Sequence, residues 1–274
     1  MVLALAPPYL ARPLLALGIA AVLAAGADLD APGAAAAFAA ASWAAVAIQW
    51  PILRTRLKPP LLGARKFEFG RWLAACLPLT LFEGSILLMS NVDVVLMSLW
   101  REPQETGAYF AAVRAASLLG FVPFAVAAAA TGRFSTLQTE ARPDASRHLL
   151  RETRRWCFAT SLAGAAAMVA VGHPLLSLFG PGFTAAYVPL AILAGGWLVR
   201  AAAGASQGFL IATGRQTAAT GIVAGAVIID VGLGIMLIPE HGMTGAAVAC
   251  AAAMAVEGVA SAAVAAQSLG RNPS

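Results

Sequence analysis

The sequence predicts an all-α polytopic membrane protein. Of its 274 residues, 60% are hydrophobic and only 11% are charged, whereas about 25% of the residues in a soluble domain are charged. The charges are also clustered, which leaves long uncharged stretches of the kind that form membrane-spanning helices. No segments of about ten residues alternate in polarity, as the strands of a membrane barrel would.

Eight apolar segments are expected to form spans. The first also resembles a signal peptide, because Arg12 precedes a short apolar core with a small-residue end. Pro123 is expected to kink the fourth span. The polar residues 144–155 are expected to form a short amphipathic helix on the membrane surface. The predicted spans are residues 13–27, 34–52, 72–99, 108–131, 156–178, 185–211, 217–238 and 244–268.

Small residues recur within two of these spans. Gly204 and Gly208 are four residues apart, as are Gly221 and Gly225. This spacing places both glycines of a pair on one helix face, where it allows close packing against a neighbouring helix.

The distribution of basic residues predicts the topology. With the N-terminus in the cytoplasm, 15 of the 18 Lys and Arg residues fall in cytoplasmic segments, and only Arg101 falls in an outer one. This asymmetry follows the positive-inside rule. We therefore expect both termini in the cytoplasm, and we attribute the net charge of +5 to the membrane surface and not to a nucleic-acid partner.

Polar side chains inside the spans are the candidate site. Charged groups are costly in hydrocarbon and usually mark a cavity, a buried pair or a pathway. On a straight third helix, Glu83, Asn91 and Asp93 would share about half of the surface and form a cavity wall. Alternatively, Asp93 caps the outer end and Glu83 pairs with a neighbour. Arg114 in the fourth span would bind a phosphate, extend to the interface or pair with Asp93.

A second group of charges lies in the last three spans. Arg200, Asp230 and Glu257 suggest either a buried ion-pair cluster or a site that couples transport to a proton or cation. The three histidines and three cysteines have no metal-ligand spacing, and no hydrolase, nucleotide-binding or metalloprotease motif is present. We therefore expect no enzyme activity, no catalytic residues, no metal and no cofactor.

Short motifs then point to a family. Asp93 lies near the outer end of a span and is followed by a short turn and the motif GAY at 107–109. The fifth span ends in LFGPGF at 178–183, and GMTGAA follows at 242–247. Over residues 71–250 this pattern resembles the polysaccharide-export (Wzx-like, O-antigen flippase) branch of the multidrug/oligosaccharidyl-lipid/polysaccharide transporter superfamily.

The resemblance implies two six-helix bundles around a central cavity, which rock to give alternating access. Residues 1–53 would be two helices at the end of the first bundle, 54–71 a basic cytoplasmic linker, 72–268 the whole second bundle and 269–274 a cytoplasmic tail. Compared with that fold the chain lacks about four helices. This difference implies a truncated gene, a late start codon or one half of a split transporter completed by a first bundle or a second subunit.

The implied function is the flipping of a lipid-linked oligosaccharide across the bacterial inner membrane, with membrane lipids as the surroundings. Under this hypothesis Glu83, Asn91, Asp93 and Arg114 line the substrate cavity. Two alternatives remain open. One is a cation-coupled multidrug exporter of the same superfamily, and the other is a non-transporting membrane scaffold within a glycan-synthesis complex.

Overall fold

The computed structural model describes residues 12–26, 31–56, 68–140 and 143–270, and within them every regular element is a helix. Among these described residues, five helices are long and apolar enough to cross a membrane, or six if one bent pair counts as a single span. The protein is thus an all-α polytopic membrane protein, as the composition predicts.

The first compact unit comprises residues 1–67. It contains α1 (Arg12–Gly26) and α2 (Ala31–Arg56), which pack against each other. The 15 residues of α1 are fewer than the roughly 20 that a span needs, while α2 contains a candidate span over Gly33–Pro51. The signal-peptide alternative depends in part on residues 1–11, and the basic linker falls mostly on 57–67. Both segments lie outside the described residues.

The second unit comprises residues 68–274. Its helices are α3 (Phe69–Met89), α4 (Val92–Trp100), α5 (Pro103–Ser117), α6 (Phe121–Thr139), α7 (Pro143–Ser177), α8 (Tyr187–Ala201), α9 (Ser206–Ala212) and α10 (Gln216–Gly270). A 3-10 turn over Leu118–Gly120 precedes α6, and another over Phe183–Ala186 precedes α8. The helix α8 is central and packs against α5, α7 and α10, while α10 also packs against α3 and α4.

The predicted third span, residues 72–99, is not one straight helix. The last turns of α3 and the whole of α4 meet at an angle of 41°. At the break, Ser90 Oγ donates to the carbonyl of Ile86 and Asn91 Nδ2 donates to that of Leu87, both at 2.8 Å. Such side chains compete with the backbone for helical hydrogen bonds, and the polar pair therefore interrupts the helix where a straight one was expected.

Two other boundaries also differ from the predictions. The helix predicted over 108–131 begins at Pro103 and continues through a 3-10 turn to Thr139, and that turn ends at Gly120, three residues before Pro123. Proline removes a helical donor, which is consistent with local tightening at this point. The prediction of a separate surface helix over 144–155 is wrong. Those residues are the first turns of α7, which contains no glycine or proline there to end it.

The last two predicted spans are the two halves of α10. Gly242 has φ 55° and ψ −133° and breaks the helix within the predicted connector. The predicted sixth span, 185–211, is interrupted after Ala201, so that Gly204 lies in a turn, where its Cα packs against Arg154. Gly208 packs against Thr131. A Cβ atom added at Gly221 or Gly225, by contrast, would meet no described atom of another helix within 4 Å.

Candidate functional site

A cleft of about 160 Å³ opens inside the second unit, between α3, α4, α5, α8 and α10. It brings together three of the residues predicted from the sequence, Asp93, Arg114 and Arg200. Trp197 and Cys250 also line it, beside apolar side chains. The cleft therefore combines two cations, one carboxyl group and an aromatic ring in a small, partly enclosed space.

Asp93 occupies the inner wall and is only 2% exposed. Because the helix breaks before it, this carboxyl falls in the first turn of α4, where the free N–H groups of a helix favour negative charge. Its Oδ2 accepts a hydrogen bond from the Tyr109 hydroxyl at 2.6 Å, and its Oδ1 accepts one from the Val94 amide at 2.8 Å.

Arg114 lies at the rim of the cleft and is exposed. Its Nη2 donates to Asn91 Oδ1 at 2.9 Å, and its Cζ lies 4.6 Å from the centroid of the Phe110 ring. The ion pair with Asp93 that was one alternative does not form, since Asp93 is bonded to Tyr109. Asn91 was expected to line the cavity wall, but it lies at the helix break and does not line the cleft. Its side-chain oxygen accepts the hydrogen bond that positions the Arg114 guanidinium.

Arg200 and Glu257 form the ion pair expected in this part of the chain. Arg200 Nε and Glu257 Oε2 are 2.6 Å apart, although the N–H is not aligned as in a hydrogen bond. The Glu257 side chain is 3% exposed and that of Arg200 is 24% exposed on the cleft side. The Arg200 guanidinium also lies 5.3 Å from the Trp197 ring centroid. Gly258 allows α10 to approach the Arg200 backbone closely.

Asp230 does not join that pair. It is fully buried, and neither of its oxygens accepts a hydrogen bond from any residue that the structure describes. It lies within electrostatic range of Asp93 instead. The three-residue cluster of the sequence interpretation is therefore divided into an ion pair at the cleft and a lone carboxyl group that belongs with Asp93.

Glu83 lies apart from these groups. It is exposed on α3, does not line the cleft, and makes no hydrogen bond or ion pair within the described ranges. Trp197 and Cys250 line the cleft but carry no sequence motif that could identify them as site residues. Tyr109 is part of the GAY motif, but its spacing from Asp93 gives no sign that the two side chains form a hydrogen bond.

No three His, Cys, Asp or Glu side chains in the described part of the chain are arranged to hold a metal ion. The MatE family model matches residues 78–236, which is more than half of the chain and contains α4 to α9 and part of α3 and α10. No curated protein and no solved structure matches the chain.

Proposed function

Because the chain belongs to the MatE family of membrane transporters, we propose that it contributes to the movement of a lipid-linked oligosaccharide across the bacterial inner membrane. In this proposal residues 72–268 are one bundle of a two-bundle transporter. A first bundle or a second subunit supplies the opposite wall of the pathway, and both termini are cytoplasmic. The chain acts by binding and conformational change and not as an enzyme.

The observation that supports this substrate is that most hydrogen-bond donors of the Arg114 guanidinium are unused within the described residues. A guanidinium offers five N–H donors in a planar fork, which matches phosphate oxygens two at a time. Arg114 gives one described hydrogen bond, to the Asn91 amide, and within the described residues no carboxylate lies at ion-pair distance from it. A cation at a cleft rim with unused donors is suited to the pyrophosphate of a lipid-linked sugar.

The size of the cleft agrees with binding of only part of the substrate. Pockets that enclose a whole small ligand are typically about 300–1,000 Å³, whereas this cleft has about 160 Å³. It therefore suits a phosphate with an adjoining sugar edge, while the lipid tail stays in the bilayer. Trp197 and the Arg200–Glu257 pair provide the apolar and polar surfaces beside that group.

The test compares Arg114→Gln with Arg155→Gln, which removes the same charge from an exposed position on α7 outside the cleft. Binding of a lipid-linked sugar pyrophosphate is measured with the purified chain in nanodiscs. Charge-assisted hydrogen bonds contribute about 1.5–3 kcal/mol each, so Arg114→Gln should weaken binding roughly tenfold to a hundredfold. Equal affinity in both variants and in the unaltered chain would contradict the proposal.

A second candidate is a cation-coupled exporter, which is favoured by Asp93 and Asp230. Both carboxyl groups are buried, and neither oxygen of Asp230 accepts a hydrogen bond from a described residue, so this region is suited to take up a proton or a small cation. In that case Asp230→Asn should abolish cation-dependent export of a cationic dye, and Arg114→Gln should leave it intact. Lipid-linked sugar binding without any flipping in proteoliposomes would instead point to the scaffold alternative.

A further inference from the structure

An aromatic side chain, Trp197, lines the cleft from α8, three residues before Arg200. It is half-buried. We propose that its indole ring and the Arg200 guanidinium together form a subsite for the sugar ring that adjoins the pyrophosphate. This inference rests on the proposed function, because it concerns the group attached to the phosphate that Arg114 binds.

The indole ring is held in place by two neighbours. Gly120, in the 3-10 turn between α5 and α6, packs directly on it, since a Cβ atom added at Gly120 would lie 2.7 Å from both Cη2 and Cζ3 of Trp197. The Arg200 guanidinium lies over the ring, with Cζ 5.3 Å from the ring centroid. The ring still borders the cleft, and a surface that is already ordered loses less side-chain entropy when a ligand binds.

The chemistry of this surface fits a pyranose ring. The face of an aromatic ring carries partial negative charge, and the C–H groups on one side of a pyranose carry partial positive charge, so the two attract each other. The hydroxyl groups of the sugar need hydrogen-bond partners as well. Arg200 can supply donors, because its side chain is partly exposed and neither of its Nη groups donates to any residue that the structure describes.

The spacing along the cleft leaves room for a phosphate and a sugar side by side. The backbones of Arg114 and Gly120 are six residues apart, or about 9 Å in helical rise. Ser117 lines the cleft between them, and the indole ring contacts the Gly120 end of this interval. The Arg114 guanidinium lies over the ring of Phe110, on the side away from Gly120. A sugar attached to the phosphate at Arg114 would therefore lie against Trp197.

The experiment compares two ligands that differ only in the sugar. One is a short polyprenyl pyrophosphate that carries glucose, and the other is the corresponding methyl ester, which has the same charge but no sugar ring. Binding of each to the full chain is measured in nanodiscs. The unaltered chain should bind the glucosyl lipid about twofold to tenfold more tightly, which is the range expected for an aromatic contact. Trp197→Leu should remove this preference and leave the affinity for the methyl ester unchanged.

Three further variants separate the subsite from other effects. Trp156→Leu removes a tryptophan of α7 that is 63% exposed and does not line the cleft, and it should leave both affinities unchanged. Trp197→Phe keeps an aromatic ring and should retain part of the preference, which a general loss of structure would not. Arg114→Gln should weaken both ligands by the same factor and preserve their ratio, because it acts on the phosphate.

The outcomes distinguish the sugar subsite from the proposed function. If the unaltered chain bound neither ligand, both proposals would be overturned. Equal affinity for the two ligands would overturn the subsite alone. The subsite would also be overturned by a preference that survives Trp197→Leu, or by an equal loss of both affinities in a Trp197→Leu chain of normal melting temperature.

Discussion

Replacing Arg101 by alanine tests the contact that holds the break in α10. Arg101 Nη2 donates to the carbonyls of Ile238 and Pro239, both at 2.9 Å, and its Nε donates to Ile238 at 3.2 Å. In an unbroken helix these carbonyls would accept from the amides of residues 242 and 243. Gly242 turns the chain away, so the guanidinium supplies the missing donors and caps the first half of α10.

The expected loss follows from these contacts. Hydrogen bonds that involve a charged group contribute about 1.5–3 kcal/mol each when buried, but this guanidinium is partly exposed and water would replace some of the lost bonds. We expect Arg101→Ala to lower the free energy of unfolding by about 2 kcal/mol. For a chain of this size the melting temperature should fall by roughly 4–8 °C.

The assay is thermal unfolding of the purified chain in detergent, followed by tryptophan fluorescence. Arg155→Ala is the matched control, because it removes an exposed arginine that caps no helix break, and it should shift the melting temperature little. Arg101→Lys keeps the charge but not the fork and should lie between the two. If Arg101→Ala melted cooperatively at the unaltered temperature, the capping of the break by Arg101 would be refuted.

Arg200→Ala should lower stability by about 3–5 kcal/mol because it leaves the carboxylate of Glu257 buried without its partner. The double replacement of both residues by alanine should recover much of that loss in the same melting assay, and additive losses would contradict the ion-pair account. Gly242→Ala should cost about 1–3 kcal/mol, since φ 55° with ψ −133° is accessible almost only to glycine; an unchanged melting temperature would argue against the break. In a cysteine-free background, a membrane-impermeant maleimide applied to intact cells should label Gln104→Cys and leave His148→Cys unlabelled, and the reverse pattern would contradict the predicted topology.

The class of protein was predictable from the sequence because the apolar segments are long and the charges are few. A long uncharged segment is expected to enter the membrane whichever helix it packs against, so the class can be assigned without knowing the contacts between helices. The same logic identified Asp93, Arg114 and Arg200 as candidate site residues, since each is a costly group within a span, and all three line one cleft. Helical bounds near glycine and proline were also close, as at the connector that contains Gly242.

The arrangement of these groups could not be predicted in the same way. Face assignments on the third span assumed a straight helix, and the bend at Ser90 and Asn91 invalidates the 100° increments beyond it. Glu83 therefore lies on an exposed surface while Asp93 is buried. Two local side-chain hydrogen bonds accompany the bend, and the spacing of apolar and polar residues along the sequence does not reveal such bonds. The assignment of residues 1–53 to a preceding bundle stays a prediction.

The break at Ser90 and Asn91 makes α4 a separate short helix, and each of its two ends contacts a different part of the structure. Asp93 lies in its first turn, bonded to Tyr109 at the inner wall of the cleft, and Arg101 directly follows its last turn and holds the break in α10. The nine residues of α4 span about 14 Å, so this short helix reaches from the inner wall of the cleft to the break in α10. The helix α10 carries Asp230 on one side of that break and Glu257 on the other. The contacts at the two ends of α4 therefore join the cleft to the helix that holds both buried carboxyl groups.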